Sequence, residues 1–330
     1  MTNIVIKSTA GLKQLISRHL RQAVQQKKIP LLVVMGPTAS GKTALGIALA
    51  RALDGEIISA DSRQIYRRMS VGTAAPTAAE KQLAKHHLVE FINPDQPFNL
   101  SLYQQKATRL IKMIFHRGHL PVLVGGTGLY VSAITENYQL PESVPDLSLR
   151  NRLEKLAARK GKLAVHDLLQ QLNPQAAAKI HPNNLRYVIR AVEIAAQSGE
   201  KLADPSKNPT GSEFYPLFIT VDWPRDQLYS RIEQRIDQQM QQGLLRETKA
   251  LLRKYDFSLP SVSSLGYREI GTYLQGLSSL EEALCLFKKN TRNFAKRQLT
   301  WFRKFPQVYS VPGDSLKTVC KALMKPKLPL

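Results

Sequence analysis

Apolar positions in this chain switch between two periods, and the switching outlines a sheet interleaved with helices. Residues 31–35 form an unbroken apolar run of strand length, and 42–53 turn to helical spacing. A second short run covers 56–60 and ends at Asp61. Helical periodicity returns over 100–116. Further strand-like runs lie at 121–124, before Gly125 and Gly126, and at 214–221. Strands apolar throughout suit a sheet covered on both faces, so the pattern predicts an α/β fold with a mostly parallel sheet flanked by helices.

Between 141 and 210 the strand signal disappears. Residues 147–159, 164–172 and 185–196 carry helical spacing, broken by turns at Asn173-Pro174 and His181-Pro182-Asn183, and 198–212 reads as a polar connector. The organisation expected is an α/β core made of 30–140 and 211–320, interrupted by an all-helical insertion at 141–210. Residues 1–29, which hold basic but no acidic side chains, are set apart as an N-terminal extension whose helix packs loosely or touches nucleic acid. Residues 321–330 are a tail. The last third is helical again, over 227–242 and 280–305.

Candidate chemistry gathers where the strands end, the place where open α/β sheets bind ligands. After the first run come Gly36, Pro37, Thr38, Ala39, Ser40, Gly41, Lys42 and Thr43. Two glycines four residues apart, then Lys and Thr, between strand and helix, form a phosphate loop whose backbone N–H groups cradle an oligophosphate. Lys42 adds a positive charge, and Thr43 offers a hydroxyl to Mg²⁺. After the second run, Asp61 begins Asp61-Ser62-Arg63-Gln64. It is either a cap, completed by Gln64, or a proton acceptor beside the phosphates. After the third, Thr127 in Gly125-Gly126-Thr127-Gly128 caps a helix or points into the crevice. The run Gly72-Thr73-Ala74-Ala75-Pro76-Thr77 is a turn or a lid. Arg231 and Arg235, four apart, share a helix face and pair either with neighbouring acids or with a phosphate.

The charge narrows the partner. There are 47 Lys+Arg against 25 Asp+Glu, a net +22, and a pI near 10.0. Such a field favours a polyanion, and no long apolar segment suggests a membrane. Seven basic and no acidic residues lie between Lys288 and Lys304, interleaved with Phe294, Trp301 and Phe302. Phe294, Trp301 and Phe305 are expected to pack inward, with the basic residues facing phosphates. Two cysteines, Cys285 and Cys320, indicate neither a zinc site nor a disulfide framework. No Walker B aspartate is evident. A diphosphate cradle, a nearby carboxylate and a polyanionic partner suit alkyl transfer to RNA with diphosphate as leaving group. A small-molecule kinase, or an RNA-binding protein with a vestigial phosphate site, would each explain part of this.

Together these segments closely resemble the bacterial-type tRNA dimethylallyltransferases (tRNA isopentenyltransferases). The matches are 36–43, 61–66, 72–77, 124–130, His181-Pro182-Asn183 with Arg186 and 190–193, 231–235, 266–269 and 291–303, in consistent order from about 31 to 305. The resemblance implies a P-loop NTPase-like core with an inserted all-helical tRNA-binding domain. It implies transfer of a dimethylallyl group from dimethylallyl diphosphate to N6 of adenosine 37, in tRNAs reading codons that start with U. Asp61 would be the general base, Thr127 would lie near the reacting carbon, and Arg235 would help neutralise the diphosphate. Gly36 through Thr43 would hold it, with Mg²⁺ on Thr43. Contacts to the tRNA anticodon stem-loop would come from Asp61, Ser62, Arg63 and Gln64, from Asn183, Asn184, Leu185, Arg186 and Tyr187, and from Lys296 and Arg297. A cytoplasmic monomer is expected. Ala75 departs from the family's usual Lys, Asn173 from Asp, and Asn184 from Asp. The zinc-finger tail of eukaryotic relatives has no counterpart.

Overall fold

Seven strands lie side by side in one wholly parallel sheet: β1 (Thr2–Val5), β2 (Ile29–Met35), β3 (Gly55–Ser59), β4 (His86–His87), β5 (Leu120–Gly125), β6 (Phe214–Asp222) and β7 (Gln307–Pro312), in the order β1-β7-β6-β2-β5-β3-β4. The computed structural model describes residues 2–6, 8–140, 146–198 and 212–324. Most of the connector expected at 198–212, and the end of the tail, lie outside the described residues.

Along the chain, helices α1 (Thr9–Gln25), α2 (Lys42–Ala52), α3 (Ser70–Thr73), α4 (Ala78–Leu83), α5 (Leu100–His116) and α6 (Gly128–Thr135) join the first five strands or follow them. Next come α7 (Leu147–Lys160), α8 (Lys162–Leu172), α9 (Pro174–Lys179) and α10 (Leu185–Ser198). After β6 follow α11 (Arg225–Gln241), α12 (Leu244–Lys254), α13 (Tyr267–Leu274), α14 (Leu280–Phe302) and α15 (Leu316–Leu323).

Alternation along β2 assigns the layers. Leu32 and Val34 point to one face, where they pack with Leu12 and Ile16 of α1, Leu45 and Leu49 of α2, and Leu316 and Leu323 of α15. Leu31, Val33 and Met35 point to the other, against Tyr103 and Ile111 of α5, Val131 of α6, and Phe302 at the end of α14. Each such side chain fully withdrawn from water is worth about 1.5–3 kcal/mol. Beyond the strand ends, α11, α12, α13 and α14 make a third cluster around Ile232, Ile236, Tyr267 and Phe287, which also takes in Ile65, Tyr66 and Met69.

Three expectations need correcting. Residues 2–25 are not a loose extension: β1 pairs with β7 from Thr2↔Gln307 to Val5↔Ser310, and α1 buries Leu12, Ile16 and Ala23. The apolar stripe of α1 is hard to read in the sequence because Lys13, Arg18 and Arg21 are interleaved with it, none of them buried. The inward seam of α14 runs through Phe287, Thr291, Ala295, Gln298 and Phe302. Phe305 is buried and Trp301, half-buried, packs against the core as expected, whereas Phe294 lies half-buried beside the seam. Finally, α14 ends at Phe302, short of the expected 305.

Residues 136–211 form a second compact unit. Its described part is helical, with a core of Leu153, Val165, Leu169, Val188 and Val192. Glu193 is completely buried there. It accepts two bonds from Arg150 (2.9 and 2.7 Å), one from Arg190 and one from the Asp146 N–H (2.6 Å). Burial alone would raise its pKa, but the arginine and backbone donors hold it below the usual carboxylate value. Asn173, in place of Asp, still caps α9, accepting from Ala176 N–H at 2.9 Å, with Pro174 in the first helical position.

Candidate active site

The phosphate loop turns between β2 and α2. Gly41 adopts φ +93°, a left-handed conformation that costs glycine nothing, and opens α2 with Lys42 as its first residue. Three distant side chains hold the loop's backbone. Trp223 Nε1 donates to Ser40 O at 2.8 Å, and Arg231 Nε donates to Ala39 O at 2.9 Å while its guanidinium stacks 4.3 Å above the Trp223 ring. Gln298 Oε1 accepts the Thr38 N–H at 2.9 Å, and its Nε2 donates to Gly126 O at 2.8 Å. That one amide fastens the loop after β2 to the turn after β5.

Arg235 donates to Thr38 Oγ1 at 3.1 Å and to Thr73 O at 3.4 Å. The neighbouring acids are taken elsewhere, Glu233 by Arg292 and Asp237 by Lys288 at 2.9 Å. Of the two sequence readings, the solvated basic face is therefore ruled out, and both guanidiniums turn to the loop. Lys42 is buried, with Nζ 3.4 Å from Pro37 O. Burial lowers its pKa to about 8, Asp61 opposes the fall, and Arg235 adds to it.

Asp61 follows β3 in a turn rather than in a helix. Its Oδ1 accepts from Arg63 N–H at 2.9 Å and Gln64 N–H at 3.4 Å. Gln64 does not complete a capping box, because its Nε2 donates to Thr73 O and Ala74 O at 3.4 and 3.0 Å. The Thr127 hydroxyl likewise caps no helix. It accepts from Ser62 N–H at 3.0 Å and lies 3.3 Å from Ser62 Oγ, while Thr127 N–H donates to Ala60 O. The ends of β3 and β5 are thus stitched together, and Gly125 is required there: a Cβ on it would sit 2.1 Å from Ala60 O. Arg63 Nη1 donates to Pro260 O at 2.8 Å and its side chain is exposed.

Residues 70–77 close over the loop and are held by side chains that the sequence did not single out. Glu247 accepts from Val71 and Gly72 N–H at 3.0 and 2.9 Å, and from Tyr267 Oη at 2.7 Å. Gln239 Nε2 donates to the carbonyls of the same two residues at 2.7 and 3.0 Å. The Tyr267 phenol is pushed up by its burial and by the Glu247 charge. Beneath this segment is a cavity of about 620 Å³ reached by Lys42, Thr43, Ala75, Arg235 and Gln239.

A smaller recess joins Lys42, Thr43, Asp61 and Gln64. Among the described residues no three His, Cys, Asp or Glu side chains converge as a metal cage. A lone hydroxyl and one carboxylate beside a phosphate cradle fit a magnesium ion that takes most of its oxygens from water and substrate phosphates.

Lys296 and Arg297 are exposed on α14, with Arg297 5.8 Å above the Phe294 ring. In the second unit, Asn183 and Asn184 form the turn into α10, Asn184 N–H donating to His181 O at 2.8 Å. Leu185 and Arg186 begin that helix, and Tyr187 is 65% exposed.

A parallel sheet with a phosphate loop at its central strand, a carboxylate two strands over and a closing segment above defines an α/β enzyme of the phosphate-loop class. Two family models match, "IPP transferase" over residues 64–305 and "Isopentenyl transferase" over 29–90. The chain belongs to the IPP transferase family, the tRNA dimethylallyltransferases, and is a prenyltransferase.

It is 45% identical to the tRNA dimethylallyltransferase of Roseiflexus castenholzii over 289 residues, covering 87% of this chain and 94% of that one. It is 43% identical to that of Alkaliphilus oremlandii over 300 residues, covering 89% and 96%. Among solved structures, the tRNA isopentenylpyrophosphate transferase of Bacillus halodurans superposes with a TM-score of 0.66 at 40% identity, over 90% of this chain and 96% of that one. A eukaryotic dimethylallyltransferase acting on tRNA gives 0.75 at 25% identity, over 86% and 74%.

Proposed function

We propose that the chain transfers a dimethylallyl group from dimethylallyl diphosphate to N6 of adenosine 37 in tRNAs reading codons that start with U. The observation that carries this reading is the recess shared by Asp61, Lys42 and Thr43, a base next to a phosphate cradle. The adenine N6 lone pair attacks C1 of the allyl group, the C1–O bond to diphosphate breaks, and the N6 proton passes to the Asp61 carboxylate. Charge developing on the diphosphate is met by Lys42, Arg235 and the loop's N–H groups. Thr43 would hold Mg²⁺, which when bound adds positive charge at the departing diphosphate. Thr127, tied to Ser62, sets the wall between the base and the reacting carbon. The adenine is turned out of the anticodon loop to reach this recess. Asp61 through Gln64, Asn183 through Tyr187, and Lys296 with Arg297 contact the tRNA. The enzyme works as a cytoplasmic monomer; among the described residues no helix is long and apolar enough to cross a membrane.

Incubation with radiolabelled dimethylallyl diphosphate, Mg²⁺ and unmodified tRNA carrying A36-A37-A38 tests the reading. Label at A37, lost in Asp61→Ala, is the expected result. Absence of label from a folded protein that binds the tRNA would reject it.

A further inference from the structure

His86 opens the two-residue strand β4 and pairs in register with Ile57 of β3. Its Nδ1 lies 2.7 Å from the carbonyl oxygen of Ala84, the C-cap residue just after α4. A carbonyl only accepts, so Nδ1 carries the proton, and this bond assigns the tautomer. Burial lowers the pKa of the ring, against the pull of the Ala84 bond, so the imidazole is neutral at pH 7. Nε2 is then a bare lone pair. It is buried, and no group among the described residues donates to it.

An unmet buried acceptor destabilises the fold, a cost that an apolar side chain would avoid. The surroundings show what the lone pair serves. His86 lines the recess of Lys42, Thr43, Asp61 and Gln64, whose open volume of about 10 Å³ is room for roughly one water. Most donors around it are committed. The Gln64 amide donates to Thr73 and Ala74, the Ser59 hydroxyl donates to Gln64 Oε1, and Lys42 spends one N–H on Pro37. What remains is the Thr43 hydroxyl and the rest of the Lys42 ammonium, the two groups that face an incoming phosphate.

We propose that His86 is a positioning residue: through Nε2 it holds one ordered water, and that water fixes Lys42 and Thr43 in the pose that receives the diphosphate. The water donates one O–H to His86 Nε2 and the other to the Asp61 carboxylate, and accepts from Lys42 or Thr43. That makes the three bonds typical of a buried water. The assignment rests on residues 36–43 being a diphosphate cradle.

The test is calorimetric titration of the full chain with inorganic pyrophosphate in excess Mg²⁺, for the parent, His86→Gln and His86→Leu. Glutamine keeps an acceptor and leucine does not. The leucine variant is expected to bind about tenfold more weakly and the glutamine variant within about threefold of the parent. Equal affinity in parent and His86→Leu, with only a lowered melting temperature, makes His86 a structural residue and overturns the assignment. Absence of pyrophosphate binding by the parent overturns the cradle itself. Should the leucine variant fail to fold, ¹⁵N-histidine spectra of the parent decide, with the His86 signal identified by its loss in His86→Gln. Its Nε2 resonance must show an accepted hydrogen bond and move when pyrophosphate is added; a resonance of a free lone pair, unmoved, overturns the role.

Discussion

Gln298 and Thr38 are 260 residues apart in sequence, yet the Gln298 Oε1 accepts the Thr38 N–H at 2.9 Å. The same amide donates to Gly126 O, so one buried side chain sets the spacing between the phosphate loop and the turn that carries Thr127. Replacing it with Leu leaves a buried N–H and a buried C=O without partners, at about 1–3 kcal/mol each. Gln298→Leu is expected to lower kcat/KM for prenyl transfer by tenfold or more. Activity within twofold of the parent, measured with labelled donor and tRNA, would refute the role.

Glu247 holds the segment over the cavity through two backbone N–H groups and the Tyr267 phenol. In Glu247→Ala the Val71 and Gly72 amides lose their acceptor. Hydrogen exchange at these two amides is expected to speed up at least tenfold, while amides in β2 and β5 stay protected. Unchanged exchange at Val71 and Gly72 would show that the segment is held by other means.

Glu193 gives a pH dependence with a definite sign. Its pKa in the folded chain lies below the ordinary carboxylate value. The stabilisation is therefore present in full above about pH 4.5, the unfolded value, and is lost as pH falls through the folded pKa. Glu193→Gln is expected to melt well below the parent at pH 7, with the gap narrowing steadily toward pH 3. A gap that stays constant with pH would mean that packing, not charge, explains the loss.

Lys296 and Arg297 are exposed on the C-terminal half of α14, whereas Lys288 and Arg292 are engaged by α11. If the exposed pair meets tRNA phosphates, the double alanine variant should flatten the plot of log affinity against log salt by about 1.5, near 0.7–0.9 per contact. Lys288→Ala should leave the slope nearly unchanged. Filter binding across a salt series measures both, and equal slopes for parent and double variant would place the tRNA elsewhere.

The central strands were readable because each is apolar on both faces, and the phosphate loop because its chemistry is local. β4 was not, because two residues carry no period, nor was β7, whose 307–312 stretch mixes Gln, Tyr, Ser and Pro. β1 hid in a stretch whose charge spoke louder than its four strand residues. Asp61, Thr127 and Arg235 are brought to one end of the sheet, as the strand-end argument expects. Gln298, Glu247 and Gln239 were beyond reach for a different reason. A buried amide or carboxylate has no local signature when the group it serves is more than a hundred residues away, and only the folded chain supplies the partner.

The pairing of β1 with β7 sets a timetable. Thr2 finds Gln307, and Ile6 N–H donates to Ser310 O at 2.8 Å, so β1 waits until β7, made much later in translation, has emerged before it can dock. Contacts this distant in sequence form slowly. During translation the edge of β1 is an open template, and the positive charges of α1 beside it discourage two nascent chains from joining there. The basic face of α1 thereby guards the newborn chain against its own copies until β7 arrives.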